Sequence, residues 1–370
     1  MIHVIPDILR SGIAFAVVLG ILVFVHEFGH YLAARCCGVH VEVFSIGFGQ
    51  AITSWMDSHG TRWKIAWLPL GGYVKMHGQE RPEDVSPQVR AAWIPGRTFH
   101  EKKVWQRAII VAAGPIANFL LAMVLFVVLF ASMGAPVTLP VVGGVLPGGA
   151  AAQAGMQAND RIDSIAGQPV RDFTDIQRMI EARPDQTLAI VITRGTATMT
   201  VQVHTGSQMA AGKRVGLLGI SGSGVEYRHL PLNVAVWAGV DQTWTVTAET
   251  VQGIAQMVAG TRGTQDLGGP LRIAQLSGQV AELGLTSLVS FIAVLSVNLG
   301  LINLFPIPVL DGGHLVFYLA EAVRGRPLPQ RALEYGFRAG LAVLASLFIF
   351  ATWNDLSNIG LFHWVAHLMG

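Results

Sequence analysis

The sequence predicts a polytopic α-helical membrane protein with about four transmembrane helices, an inserted α+β domain and a membrane-associated β-hairpin. Three observations point there. Hydrophobic residues fill 52% of the 370 positions and charged residues only 13%, and the mean hydropathy is +0.49, well away from soluble averages. Long apolar runs recur at 11–36, 104–132, 285–320 and 335–353, near or above the roughly 20 residues a helix needs to span a bilayer. Two further tracts, 41–78 and 133–206, alternate with the period of strands. The net charge of +2 offers no broad basic field, so no nucleic-acid partner is expected.

Residues 1–36 form the first predicted span. "MIHVIPDILR" has no Lys or Arg before Arg10, and no small-residue cleavage site follows the apolar run. An uncleaved membrane helix is therefore expected rather than a signal peptide. Residues 12–25 are apolar or glycine throughout, and they run directly into "HEFGH". Residues four apart share a helix face, so His26 and His30 can present two imidazoles to one Zn²⁺, with Glu27 beside them to deprotonate the attacking water. At 1.5 Å per residue His26 lies about 21 Å below Gly12 in a hydrocarbon core of about 30 Å. Two hydrogen-bonded histidines in a helix bundle are the alternative, but ionisable groups inside a span are costly and favour a functional role. Cys36 and Cys37 are adjacent, pair badly as a disulfide, and are expected as buried thiols.

Residues 37–103 form a loop that carries the hairpin of 41–78. Trp63, Ile65 and Trp67 alternate onto one face between the turn signals "DSHG" and "LGG", which suits a hairpin dipping into the bilayer interface; a soluble hairpin with an apolar face is the alternative. Residues 104–132 form the second span, with "GPIANF" and Asn118 inside it. Arg35, Lys102, Lys103 and Arg107 flank the first two spans, and Arg324, Arg326, Arg331 and Arg338 precede the last. The positive-inside rule makes these flanks cytoplasmic and leaves both termini and residues 133–284 on the outer side of the membrane. Within that outer segment, 133–206 reads as a small module with strands "LAIVITR" and "TMTVQVH" and an amphipathic helix over 174–182. Residues 207–284 read as a linker with an interfacial or strut-like helix over 231–260.

The third span, 285–323, is broken by "NLFPIPVLDGG". Irregular backbone at membrane depth is tolerated where it faces protein or a wet cavity. Asp311, the only acidic residue between Glu282 and Glu321, is expected as the third metal ligand, a role compatible with capping the helix that follows. Pro306 and Pro308 remove amide donors, while Gly312 and Gly313 let the backbone turn close to the metal. Asn303 is expected to contact substrate at the scissile carbonyl. Asn298 and Asn118 are weaker candidates that could equally be interhelical glue. His314 is either a partner of the metal ligands or a helix-start histidine. Residues 324–370 supply a cytoplasmic turn, the fourth span and a tail.

"HEFGH", "GPIANF", one inserted module and "NLFPIPVLDGGH", in that order over nearly the whole chain, together resemble the site-2 protease family of intramembrane zinc metalloproteases. The resemblance implies that His26, His30 and Asp311 hold Zn²⁺, that Glu27 is the general base, and that Asn303 contacts substrate. It implies a membrane-reentrant hairpin at 41–78 whose edge receives an unwound substrate strand. The stretch "VLPGGAAAQAGMQANDRIDSIAGQPV" resembles a PDZ domain, which implies a peptide or protein ligand for it; a known family member has two such modules in tandem, this chain one. The expected partners are the lipid bilayer and single-span transmembrane substrates such as anti-sigma factors or signal-peptide remnants. The alternative is a non-catalytic PDZ scaffold with a structural metal.

Overall fold

The computed structural model describes residues 4–80, 85–210, 213–261, 263 and 268–358. The chain divides into two compact units, Met1–Leu129 with Val236–Gly370, and Phe130–Ala235. The outward placement expected for the extreme termini concerns residues outside the described ones.

The first unit begins with helix α1 (Val4–Cys36). Val18 and Leu22 are buried on it against Ile292. Cys36 ends the helix exposed and Cys37 is half-buried, both as free thiols. The expectation of buried thiols is thus corrected: the chain leaves the helix here, Cys36 faces outward, and Cys37 packs only partly against the cluster around Tyr31 and Val39.

Strands β1 (Val41–Met56) and β2 (Arg62–Met76) form the antiparallel hairpin. They make more than a two-ply ribbon. Phe44, Ser45 and Ile46 pair with Val74, Tyr73 and Gly72 on one side and with Trp63, Lys64 and Ile65 on the other, and Thr53, Ser54 and Trp55 cover the far edge of that second ply. Each strand bends back on itself, at Gly47 and Gly49 in β1 and at Gly71 in β2, where φ values of 87°, 90° and 104° suit residues without a Cβ. The bend also divides the expected aromatic face. Trp63 lies 4.4 Å from Phe44, while Trp67 is 77% exposed, because the Phe44 ply covers only the Trp63 end. Ile52, Trp55, Met56 and Leu68 of the hairpin are exposed as well, apolar surface of the kind that meets a membrane or partner.

At the hairpin turn Asp57 Oδ1 accepts from the His59 and Thr61 amides, while Oδ2 accepts from Trp63 Nε1 and Tyr31 Oη. Burial pushes this carboxyl up, but these hydrogen bonds outweigh it and hold the pKa at about 2. The turn is thereby tied to α1. Beyond it, His77 donates from Nδ1 to Glu42 and accepts from the Ile94 amide at Nε2. These bonds fold the loop with helix α2 (Pro87–Ala91) back onto the sheet. Helix α3 (Val104–Ser132) follows, with Pro115 in its interior.

The second unit is a small α+β fold. It comprises β3 (Ala135–Thr138), β4 (Val142–Val145), α4 (Ala150–Gln153), β5 (Arg161–Ile165), β6 (Gln168–Pro169), α5 (Phe173–Glu181), β7 (Thr187–Arg194), β8 (Ala197–His204), β9 (Gly206–Ala210), β10 (Lys213–Leu217), β11 (Ile220–Gly222) and β12 (Val225–Arg228). A four-stranded sheet of order β6-β5-β7-β8 lays Ile162, Ile165, Ile190 and Ile192 against Ile176 and Ile180 of α5. Asp172 caps α5 by accepting from the Asp175 amide. The expected module end at 206 is corrected, because β11 pairs with β4 and β12 with β3. Residues 207–228 close the unit instead of leaving it as linker.

One buried charge pair pins this unit. Asp160 is fully buried and receives Arg194 Nε at 2.7 Å and Nη2 at 2.7 Å on its two oxygens. The Arg194 hydrogen bonds hold its carboxyl below the usual range. A depressed folded-state pKa contributes stability above the unfolded value, near 3.9, and loses it as pH falls through the folded value. The protection of the β5 and β7 amides against hydrogen exchange, relative to their intrinsic rates, should fall below about pH 4 in the full chain, and Asp160→Asn should remove that acid dependence while lowering protection at neutral pH.

The first unit resumes with α6 (Leu232–Val258), α7 (Pro270–Glu282), α8 (Leu285–Asn303), α9 (Asp311–Arg324) and α10 (Gln330–Asn358). Among the described residues, four helices are long and apolar enough to cross a membrane, over Leu9–Cys36, Val104–Ser132, Leu285–Asn303 and Gln330–Ser357. Helix α6 lies on α3 at Gly239, where a Cβ would come within 2.6 Å of Val127. Helix α7 is not linker either. It packs on α1 with Gly278 against Ser11, and Asp355 of α10, only 2% exposed, accepts from the amides of Gly269, Leu271 and Arg272 at its start. These are amides that a helix N-terminus leaves unpaired. Asp355→Ala should cost about 2 kcal/mol of local stability, so exchange at the α7 amides should rise roughly 30-fold.

Candidate metal centre and active site

Two elements of the first unit bring three side chains to one point. Helix α1 presents His26 and His30 four residues apart, and α9 presents Asp311 from its first residue. His26 Nε2 lies 3.2 Å from His30 Nε2, and Asp311 Oδ2 lies 3.1 Å and 3.5 Å from the two nitrogens. Zinc bonds of about 2.0–2.1 Å in a tetrahedron put donor atoms about 3.3 Å apart. The three separations bracket that figure. Asp311 Oδ2 is buried without a hydrogen-bond partner among the described residues, a cost that a cation removes. These residues fit a zinc site, and they are the one three-residue group with metal-ligand spacing found among the described residues.

The broken segment places Asp311. Helix α8 stops at Asn303, and 304–310 turns back before α9 begins. Leu310 occupies the N-cap position without a side-chain cap, so the capping role considered for Asp311 gives way to its place inside the first turn. Gly312 and Gly313 serve the returning loop rather than the metal: Cβ atoms there would collide with the carbonyls of Leu304, Phe305 and Ile307. Val309 has φ 124°, a strained conformation for a β-branched residue two positions before the ligand. Gly340 of α10 presses against Pro308 and helps to hold the loop in that form.

"GPIANF" on α3 is the counterpart of "HEFGH" on α1. A Cβ on Gly114 would overlap the His30 imidazole, and one on Gly29 would overlap the Ala113 carbonyl. The absence of both lets the two helices meet closely. His30 Nδ1 donates to the Ile110 carbonyl at 2.9 Å, and the amide of fully buried Asn118 lies 3.1 Å from His26 Nδ1. Gly114 and Asn118 are four residues apart, like the histidines they face. Gly114 opens the "GPIANF" motif but carries no functional group, so its role against His30 was not assigned from the sequence.

Glu27 sits beside the triad and next to β2: a Cβ on Gly72 would lie 3.1 Å from Glu27 Cγ. A cavity of about 360 Å³ opens from Glu27, His30 and Asp311. Its walls include Val74 and Met76 of β2 and His314, whose ring lies 5.4 Å from Phe337. Arg107 and Glu321 pair across it at 2.6 Å, and Arg107 stacks on Tyr318 at 5.0 Å. This pair joins α3 to α9 across 214 positions, so nothing local announced it. Asn303 is half-buried at the end of α8, outside the cavity wall. Asn298, also expected at the substrate, accepts at Oδ1 from Thr250 Oγ1 on α6 at 2.9 Å.

A family model described as Peptidase family M50 matches residues 14–347. A Rhizobium meliloti protein whose assigned name is that of a zinc metalloprotease is 43% identical over 93% of this chain and 95% of its own. Metalloprotease MmpA of Caulobacter vibrioides is 36% identical over 95% and 96%. Regulator of sigma-E protease RseP of Escherichia coli is 32% identical over 94% and 98%.

Proposed function

The chain belongs to peptidase family M50, the zinc-dependent site-2 protease family, and from that premise we propose that this bacterial inner-membrane metalloprotease cuts single-span membrane proteins within the bilayer. The observation that carries the reading is the meeting of His26, His30 and Asp311 on helices that qualify as spans or directly follow one. Hydrolysis therefore happens at membrane depth.

His26, His30 and Asp311 hold the metal, which when bound supplies Lewis-acid polarisation of a carbonyl and acidifies water. Glu27 takes the proton from the attacking water on a carboxylate oxygen and returns it to the departing amine nitrogen. Asn303 donates to the substrate carbonyl. A substrate helix has its amides bonded internally, so it must unwind first. Residues 72–76 of β2 have ladder partners on one side only among the described residues, and Gly72 lies against Glu27, so their other edge can take an extended strand. Helix-breaking residues near the scissile bond favour cleavage.

Arg35, Lys102, Lys103 and Arg107, with Arg324, Arg326, Arg331 and Arg338, face the cytoplasm, and the unit of Phe130–Ala235 faces the periplasm. That unit is PDZ-like and receives a peptide or protein end. Substrates are anti-sigma-factor-like proteins or signal-peptide remnants.

The test is cleavage of a purified single-span protein by the reconstituted enzyme before and after chelation. Activity should vanish with chelator and return with added zinc; cleavage untouched by thorough metal removal would overturn the assignment of the site.

A further inference from the structure

We propose that Asn118 is a positioning residue that locks His26 in its zinc-binding tautomer by accepting the Nδ1 proton; the inference rests on the zinc-site reading above. A neutral imidazole carries one proton. A ring that gives Nε2 to a metal must hold that proton on Nδ1. His30 meets the condition, since its Nδ1–H donates to the Ile110 carbonyl at 2.9 Å. His26 needs an acceptor in the same place, and the group there is the Asn118 amide at 3.1 Å.

Which end of the amide faces the ring follows from the chemistry. With Nδ2 toward His26, an N–H₂ would confront an N–H, donor against donor, while Oδ1 stays buried without a hydrogen-bond partner among the described residues. Oxygen and nitrogen of an amide are nearly equal in size, and the hydrogen bond decides between them. Turning the group about its last side-chain bond brings Oδ1 to Nδ1–H as its acceptor and removes the clash of donors, with the N–H₂ taking the place of Oδ1. With the proton on Nδ1, the Nε2 lone pair is left on the side of Asp311 and His30.

The backbone is built to hold that amide. Asn118 is 0% exposed, and its own carbonyl accepts from Ser296 Oγ of α8 at 2.8 Å. Three helices are thereby joined at one residue. Both histidines acquire an oxygen acceptor from the same helix, Ile110 for His30 and Asn118 for His26. Such outer partners of ligand histidines typically contribute 10–100-fold in metal affinity.

The test is zinc affinity of the purified full-length protein by competition with a chelator, for wild type, Asn118→Leu and Asn118→Asp. Asn118→Leu removes the acceptor and should loosen zinc about 10–100-fold, with hydrogen exchange of α3 in the metal-free protein unchanged. Asn118→Asp keeps an oxygen toward the ring and should stay within a few-fold of wild type. Equal affinity of Asn118→Leu and wild type overturns the proposal, as does Asn118→Asp loosened as much as Asn118→Leu. A third readout needs no variant: ¹⁵N NMR of histidine-labelled, zinc-loaded wild type should show His26 protonated at Nδ1, and a bare Nδ1 overturns the proposal. Zinc bound by Asp311→Ala as tightly as by wild type would instead remove the site reading itself, an outcome separate from the Asn118 comparison.

Discussion

Glu27→Gln is expected to lower the cleavage rate of a single-span substrate by about 10²–10⁴-fold while zinc stays bound at the wild-type stoichiometry. The two side chains have the same shape, so the packing of Glu27 against Gly72 and the cavity wall is kept. An amide, however, cannot take a proton from water at neutral pH. The loss should therefore appear in the chemical step, with substrate affinity within a few-fold of wild type. Single-turnover cleavage beside metal analysis of the same sample separates the cases. Wild-type cleavage by the variant would show that Glu27 is not the base, and loss of zinc would show that it is part of the metal's support.

Gly114→Ala should have an effect out of proportion to one methyl group. Alanine is the better helix former by about 1 kcal/mol, so α3 itself should not suffer. Its Cβ, though, would occupy the space of the His30 ring. His30 is held at Nδ1 by the Ile110 carbonyl and cannot retreat without breaking that bond. Either the ring leaves the triad or α1 moves away from α3. In both cases the donor separations open beyond those a single metal can bridge, and zinc affinity should fall by at least about 100-fold. Chelator competition reads this directly. An affinity within twofold of wild type would mean that the helices are not packed as closely as Gly29 and Gly114 allow.

Much of the site was legible because its signals are local. His26, Glu27 and His30 lie within one helical turn or so, and Asp311 is the lone acid in its apolar stretch. The apolar runs announced the spans for the same reason: hydropathy is summed over neighbours. What escaped was non-local. Residues 207–228 read as linker because their strands pair with β3 and β4, some eighty positions earlier. The hairpin read as a two-ply ribbon because its second fold depends on which glycines take positive φ. Helix α7 is too short and too mixed to look like a span, and it finds its place through Asp355, over eighty residues on. Asn118 was seen but weighed as helix glue, since its value lies in facing His26 across 92 positions.

The central claim is that the peptide bond breaks at membrane depth, at a centre built by His26, His30 and Asp311. The most direct measurement is the position of the cut. A single-span substrate, co-reconstituted in liposomes with wild type or the Glu27→Gln enzyme, is recovered and its fragments are sized by mass spectrometry. A new end inside the hydrophobic segment, produced by wild type and not by the variant, is the expected result. A cut only in the water-exposed flanks, or one that persists undiminished in the variant, would contradict the account.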